Sequence, residues 1–274
     1  MSRDRMAFLG VPSYQRPGKP RGAGITRMID WGLPVGLQTD ILDTAGALVD
    51  LAKIAVGVSG VLPLVTLRTK IEAYRRADVD AFPGGMFLEY AHARGRAAEY
   101  FDGCAEAGYR VVEVSDNAVP LSRREKAGLI QTALNRGMRV LGEAGSKHTR
   151  TSPSGLAEDI KVCLEAGAWK VFVKAAELFE EGAIRGDLLD HLTGRIDQGQ
   201  VIWELPGSWI SGVHSHQIHQ LQVWLIENLG PEVNVANVDP LAVAALETLR
   251  RGIGVRALVG RHPGRSRTAE VPST

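Results

Sequence analysis

The chain has 274 residues, 45% of them hydrophobic and 23% charged, enough to bury a large core in one domain or two. Its formal net charge of +1 gives no long-range electrostatic case for nucleic acid or an anionic membrane as partner. No apolar run approaches the ~20 residues that span a bilayer, and the N-terminus lacks the apolar core of a signal peptide, so a cytoplasmic soluble protein is expected.

Residues 1–22 are rich in Pro, Gly and Arg and read as an N-terminal arm. A rhythm of short branched runs and helical patterns then begins. The predicted strands are 25–30, 48–57, 79–85, 110–116, 139–145, 169–176, 201–207 and 233–239. Helical patterns lie at 38–47, at 63–78, in a stretch running to Gly108, and at 122–137, where Ser122 and Glu125 form a capping box. Further helices are read at about 154–167, at 186–195, up to Leu229 and at 241–252. Residues 261–274 read as a polar flexible tail. Cys104 and Cys163 fall in helical patterns without a CxxC or His/Cys grouping and are expected to be buried thiols in a reducing compartment.

Eight strands alternating with eight helices close a (β/α)8 TIM barrel, here a single α/β domain over 23–260. The competing open doubly wound sheet predicts a Gly-rich phosphate loop, and neither GxGxxG nor GxxxxGK[ST] is present.

A barrel gathers the C-terminal ends of its strands on one rim, where chemistry is done. The run RVLGEAGSKHTR (139–150) ends in Glu143 and Lys147. The other strand ends supply Asp30, Lys53, Glu113 with Asp116, Lys174 with Glu177, Glu204, and Asn237 with Asp239. Hard oxygen donors of this kind suit Mg2+, and a desolvated lysine beside them can act as acid or base with a lowered pKa. Each group alone reads equally well as a solvated or backbone-bonded charge; together they predict a polar catalytic or ligand rim for a small anionic substrate.

The blocks KPR (19–21), MID (28–30), DTAGALVDLAKIAVG (43–57), FPGGMFLE (82–89), EVSDN (113–117), GEAG (142–145), QVW (222–224), PEVNVANV (231–238) and LETLRRG (246–252) resemble the phosphosulfolactate synthase family. The resemblance implies a (β/α)8 barrel and a Mg2+-dependent lyase adding sulfite to phosphoenolpyruvate. Lys53 and Glu143 match acids or bases of the family pattern and, with Lys147 and with Lys174 in place of the lysine lost at Ser146, are the expected catalytic groups; Glu113, Glu143, Glu204 and Asp30 are the expected metal ligands. Arg21, Ser115, Asn117, Asn237, Arg250 and Arg251 are expected on the substrate.

Four departures from the family pattern stand out. Trp31 and Ser146 occupy positions where the family carries lysine, and Lys174-Ala175-Ala176-Glu177 replaces an acid and an arginine. The seventh loop carries an added GSWISGVHSHQIHQ stretch, whose His214, His216 and His219 read either as a metal site or as a lid with solvated imidazoles. Trp31 and Trp209 read as packing or as the wall of a less charged pocket. The alternatives to the parent activity are a barrel diverged to another nucleophile or acceptor, and a non-catalytic relative that binds a metabolite or a protein. The apolar LAVAALETL helix suggests a homo-oligomer.

Overall fold

Branched and aromatic runs bounded by turns form eight parallel strands: β1 (Thr26–Asp30), β2 (Leu51–Ile54), β3 (Asp80–Pro83), β4 (Val111–Val114), β5 (Arg139–Ala144), β6 (Lys170–Val173), β7 (Val201–Glu204) and β8 (Val235–Val238). The structure is a computed structural model and describes residues 14, 16–145, 151–180, 183–207 and 209–255. Strand pairing runs β3-β2-β1-β8-β7-β6-β5-β4, and β3 lies beside β4, so the sheet curls into a nearly closed barrel. The expected (β/α)8 barrel is therefore the observed fold, in one domain.

Ten α-helices are described, against eight expected. They are α1 (Val35–Ala45), α2 (Val58–Val61), α3 (Leu64–Arg76), α4 (Gly85–His92) and α5 (Ala97–Ala107), then α6 (Arg123–Leu134), α7 (Pro153–Glu165), α8 (Gly186–Thr193), α9 (Ser215–Leu229) and α10 (Val243–Arg250). One surplus helix, α2, falls between the expected strand and helix patterns, and the other arises where the stretch running to Gly108 is split. Pro63 separates α2 from α3, and Gly95 at a φ of +69° turns the chain between α4 and α5. The capping box of α6 is present, with Ser122 and Glu125 bonded reciprocally. The expected strands extend past the ladders they contain; 48–57, for example, pairs only over Leu51–Ile54 because a 3-10 turn occupies Gly46–Leu48. A short antiparallel pair, Phe179–Glu180 with Ala183–Ile184, follows β6.

Strand alternation separates two cores. One side chain from each strand forms an apolar floor inside the barrel: Leu51, Phe82, Val111, Leu141, Phe172, Ile202 and Ala236, with Ile25 just before β1. The opposite faces pack against the helices. Apart from Ala236, the floor side chains contribute about 2 kcal/mol each on burial, which offsets part of the cost of desolvating charges stacked above them. The β3/β4 seam has no ladder. At its N-terminal end Arg139 pairs with Asp80 at 2.8 Å, and at its C-terminal end the Gly85 N–H donates to Glu113 at 3.0 Å.

Residues 16–22 cross the N-terminal end of the barrel. Arg16 pairs with Glu247 at 2.8 Å and donates to the Leu48 carbonyl at 2.9 Å. Lys19 donates to the carbonyls of Gly46, Ala77 and Asp78, and the Gly22 carbonyl accepts from Lys170 at 2.7 Å. The apolar side chains of α10, Val243, Leu246 and Leu249, are spent on the barrel's own core. No described helix is long and apolar enough to cross a membrane.

Candidate active site at the C-terminal end of the barrel

Two residues beyond the floor, the inward positions become charged. Arg27, Lys53, Glu113, Glu143, Lys174 and Glu204 come from six different strands or their ends, and all are buried. A register shift between β1 and β8, with Asn237 at a φ of +59°, adds the Asn237 side chain to this layer. The eighth position is Gly84.

Three carboxylates converge: one oxygen each of Glu113, Glu143 and Glu204 lies within 4.8 Å of the others. Each also meets a donor. Lys53 reaches across β3 to Glu113 at 2.8 Å, which the missing side chain of Gly84 permits, and Arg27 pairs with Glu204 at 2.6 Å. Asn117 donates to Glu143 at 2.6 Å, and Lys174 lies 3.7 Å from the same carboxylate. Arg27 also donates to Asn237 and stacks on the floor at Phe172, 4.5 Å from the ring centroid. Three cations thus face three anions in a buried layer, where an unpaired charge would be costly.

Electrostatics follow from this packing. Burial raises the Glu113 carboxyl above its ordinary value, and the neighbouring Glu143 and Glu204 charges add to the rise, while Lys53 and Arg27 oppose it. For Lys174 burial disfavours the charge, but Glu143, Asp116 and Glu204 outweigh it, and the ammonium is held above its usual range. The expected lowered lysine pKa is thus corrected for Lys174, because carboxylates surround the buried amine. Asp116 is lowered: burial opposes its charge, and Lys126 and Lys174 overcome that opposition.

The loop after β4 is held from behind. The Glu89 carboxylate of α4 accepts from the backbone N–H groups of Asn117, Ala118 and Val119 at 2.8, 2.6 and 3.0 Å, and from the Ser115 hydroxyl. Ser115, expected on the substrate, is therefore spent on the loop's anchor. Gly85 is required beneath it, since any Cβ there would run into the Ser115 side chain.

Other expected site residues lie elsewhere. Asp30 ends β1 on the outward face, where it accepts from Tyr74 at 2.7 Å, Lys70 at 2.8 Å and the N–H groups of Gly32 and Leu33. Period-two alternation turns it away from the three glutamates, so it is not part of their cluster. Arg21, Arg250 and Arg251 are not on the rim. Arg21 pairs with Asp50 ahead of β2, and Arg250 donates to the Val233 carbonyl ahead of β8. Arg251 pairs with Glu247. All three arginines brace the N-terminal end of the barrel. Asp239 caps the turn at Leu241, and Glu177 is engaged by Thr151 and Arg185. Lys147 and Ser146 lie outside the described residues.

The histidines of the seventh loop do not converge. His214 and His216 stack at 6.0 Å while His219 bonds the Val255 carbonyl, and among the described residues the one group suited to a metal is the glutamate cluster. Trp31 and Trp209 pack against each other at 5.4 Å from the loops after β1 and β7, with each ring about half exposed. Cys104 and Cys163 are buried free thiols raised by burial to about 12 and about 11, which leaves them unreactive at neutral pH.

Arg27 is not among the expected site residues. Its signal was present in TRMID, where a charged residue stands two positions from Ile25 and Ile29 on an inward face. Lys126 was missed because it sits on a helix rather than at a strand end.

Known proteins agree with this architecture. The 3-hexulose-6-phosphate synthase of Salmonella typhimurium superposes with a TM-score of 0.53 at 14% identity, covering 84% of this chain and 99% of that one, a likeness of fold alone. The phosphosulfolactate synthase of Methanothermobacter thermautotrophicus is 33% identical over 257 residues, 90% of this chain and 94% of its own. That of Methanocaldococcus jannaschii is 32% identical over 241 residues, 84% and 92% of the two chains. Residues 14–255 match the profile described as (2R)-phospho-3-sulfolactate synthase (ComA), so the chain belongs to the phosphosulfolactate synthase family.

Proposed function

We propose that the protein is a Mg2+-dependent lyase that adds sulfite to phosphoenolpyruvate, as the activity named for its family implies. The observation that carries this reading is the buried layer in which Glu113, Glu143 and Glu204 converge beside Lys53, Lys174 and Arg27. The three carboxylates are hard oxygen donors from three strands and fit a divalent cation that keeps other positions for substrate oxygens. When bound there, Mg2+ would supply positive charge for a substrate carboxylate that gains electron density.

The chain's own groups account for the rest. The sulfur lone pair of sulfite forms a bond to the methylene carbon of the acceptor. The alkene pair moves toward the neighbouring carbon and its carboxylate, and that carbon then takes a proton. Lys174, kept protonated by its carboxylate neighbours, holds a proton at Nζ for this step and recovers one from solvent afterwards. Lys53 and Arg27 stand opposite it with positive charge toward the substrate's anionic groups, and Lys147 remains a second candidate acid. Apart from the Lys174 N–H that gives up its proton, the bond broken is the acceptor's π bond, so the demand on the protein is proton delivery, positioning and charge stabilisation.

A second reading, an altered nucleophile or acceptor, is favoured by the half-exposed Trp31–Trp209 pair, which offers apolar surface on the rim. Phosphorus NMR of the protein with phosphoenolpyruvate and Mg2+, with and without sulfite, separates the two. A new phosphate-ester resonance requiring both enzyme and sulfite is expected; an unchanged spectrum overturns the parent activity and directs attention to other nucleophiles.

A further inference from the structure

Lys126 belongs to α6, outside the barrel wall, yet its side chain is buried and its ammonium reaches the rim. It donates to the Glu143 carbonyl at 3.0 Å and pairs with Asp116 Oδ2 at 2.8 Å. The other Asp116 oxygen accepts from Lys174 at 2.9 Å. Asp116 is therefore gripped between two ammonium groups and has little freedom to rotate.

The consequence falls on Lys174. An ammonium has three N–H donors. One is spent on Asp116 and a second on the Gly145 carbonyl at 2.6 Å. The remaining side of the amine is the one from which Glu143 lies 3.7 Å away, which is the side of the glutamate cluster. With Asp116 fixed, the third N–H has one direction left, toward the interior. We propose that Lys126 is a positioning residue: by clamping Asp116 it sets the rotation of the Lys174 ammonium, so that its third N–H faces the glutamate cluster.

This inference rests on the reading of Lys174 as the proton donor, and its test is built so that either can fail alone. Lys126→Met and Lys126→Arg are made in the full chain and assayed with phosphoenolpyruvate, sulfite and Mg2+. A misaimed donor should lower kcat by roughly ten- to a hundredfold, leave KM within about twofold, and enlarge the solvent deuterium effect on kcat. Lys126→Arg, which keeps a cation over Asp116, should recover most of the loss. A lowered melting temperature with unchanged kcat would make Lys126 a mere tie between α6 and β5 and overturn the proposal. Asp116→Asn, which keeps the shape and removes the charge, should reproduce the kcat loss if Lys126→Met does not fold. Competitive acetylation read by mass spectrometry requires no turnover: Lys174 should label severalfold faster in folded Lys126→Met than in the parent or Lys126→Arg, and equal labelling in all three refutes the clamp. Absence of product with the parent protein would count against the reaction while the labelling still decides the clamp.

Discussion

The two ends of the barrel carry buried charge in similar amounts and use it in opposite ways. At the N-terminal end Arg16, Lys19, Lys170 and Arg250 spend their donors largely on main-chain carbonyls, tying residues 16–22, the first turns and α10 to the strand starts. At the C-terminal end Arg27, Lys53 and Lys174 meet carboxylates from other strands, and the carboxylates meet one another. Carbonyls bonded to a cation are satisfied and inert. Carboxylates crowded together, by contrast, keep lone pairs and a repulsion that a cation or a protonated group relieves. The same residue types thus brace one end and form a candidate reactive layer at the other.

The sharpest way to break this comparison is to remove one charge from each end. Lys174→Ala or Glu143→Ala should abolish turnover with the fold retained, checked by product formation alongside circular dichroism; turnover surviving in both variants would refute the assignment of this layer. Arg250→Ala should do the reverse. It strands buried carbonyls of Pro231 and Val233 and should cost about 3 kcal/mol of stability in denaturant titration, with kcat unchanged in the folded fraction. A smaller effect is expected from Asn117→Ala, which frees the Glu143 carboxylate from its orienting amide. Mg2+ should then bind about tenfold more weakly by calorimetry, as for loss of an outer partner of a metal ligand.

The smallest expected effect is on pH dependence. Asp116 is held below its ordinary value of 3.8, so the folded chain binds that proton less tightly than the unfolded one. Its contribution to stability is present above the unfolded value and fades as pH falls through the folded one. Asp116→Asn should therefore flatten the acid limb of the stability profile below about pH 4 and leave the neutral plateau's slope unchanged. An unaltered acid limb would show that the ion pairs at Asp116 contribute nothing to it.

Much of this was legible in the linear chain. Short branched runs bounded by Gly, Pro and Asp, alternating with helical patterns, led to eight strands and a barrel, because strand and helix preferences are local properties of the chain. Glu113, Glu143, Glu204, Lys53 and Lys174 each lie within one residue of a strand's C-terminal end, and a barrel places such positions on one rim. The family resemblance rested on short blocks that a sequence carries whatever its fold.

Direction and depth were decided only by tertiary structure. Asp30 also ends a strand, but one residue of phase turns its carboxylate outward onto Tyr74 and Lys70. Arg250 and Arg251 end and cap the last helix, which returns the chain to the opposite end of the barrel, so adjacency in the family's blocks did not become adjacency in space. The phase of β1 turns Arg27 inward, but what it meets there, the Phe172 ring 145 positions away in the chain and contributed by another strand, was set by closure of the barrel. Lys126 arrived through the helix layer. Which face a strand presents, and what stands across the barrel from it, depend on closing a sheet whose neighbours lie far apart along the chain; no local pattern contains that information.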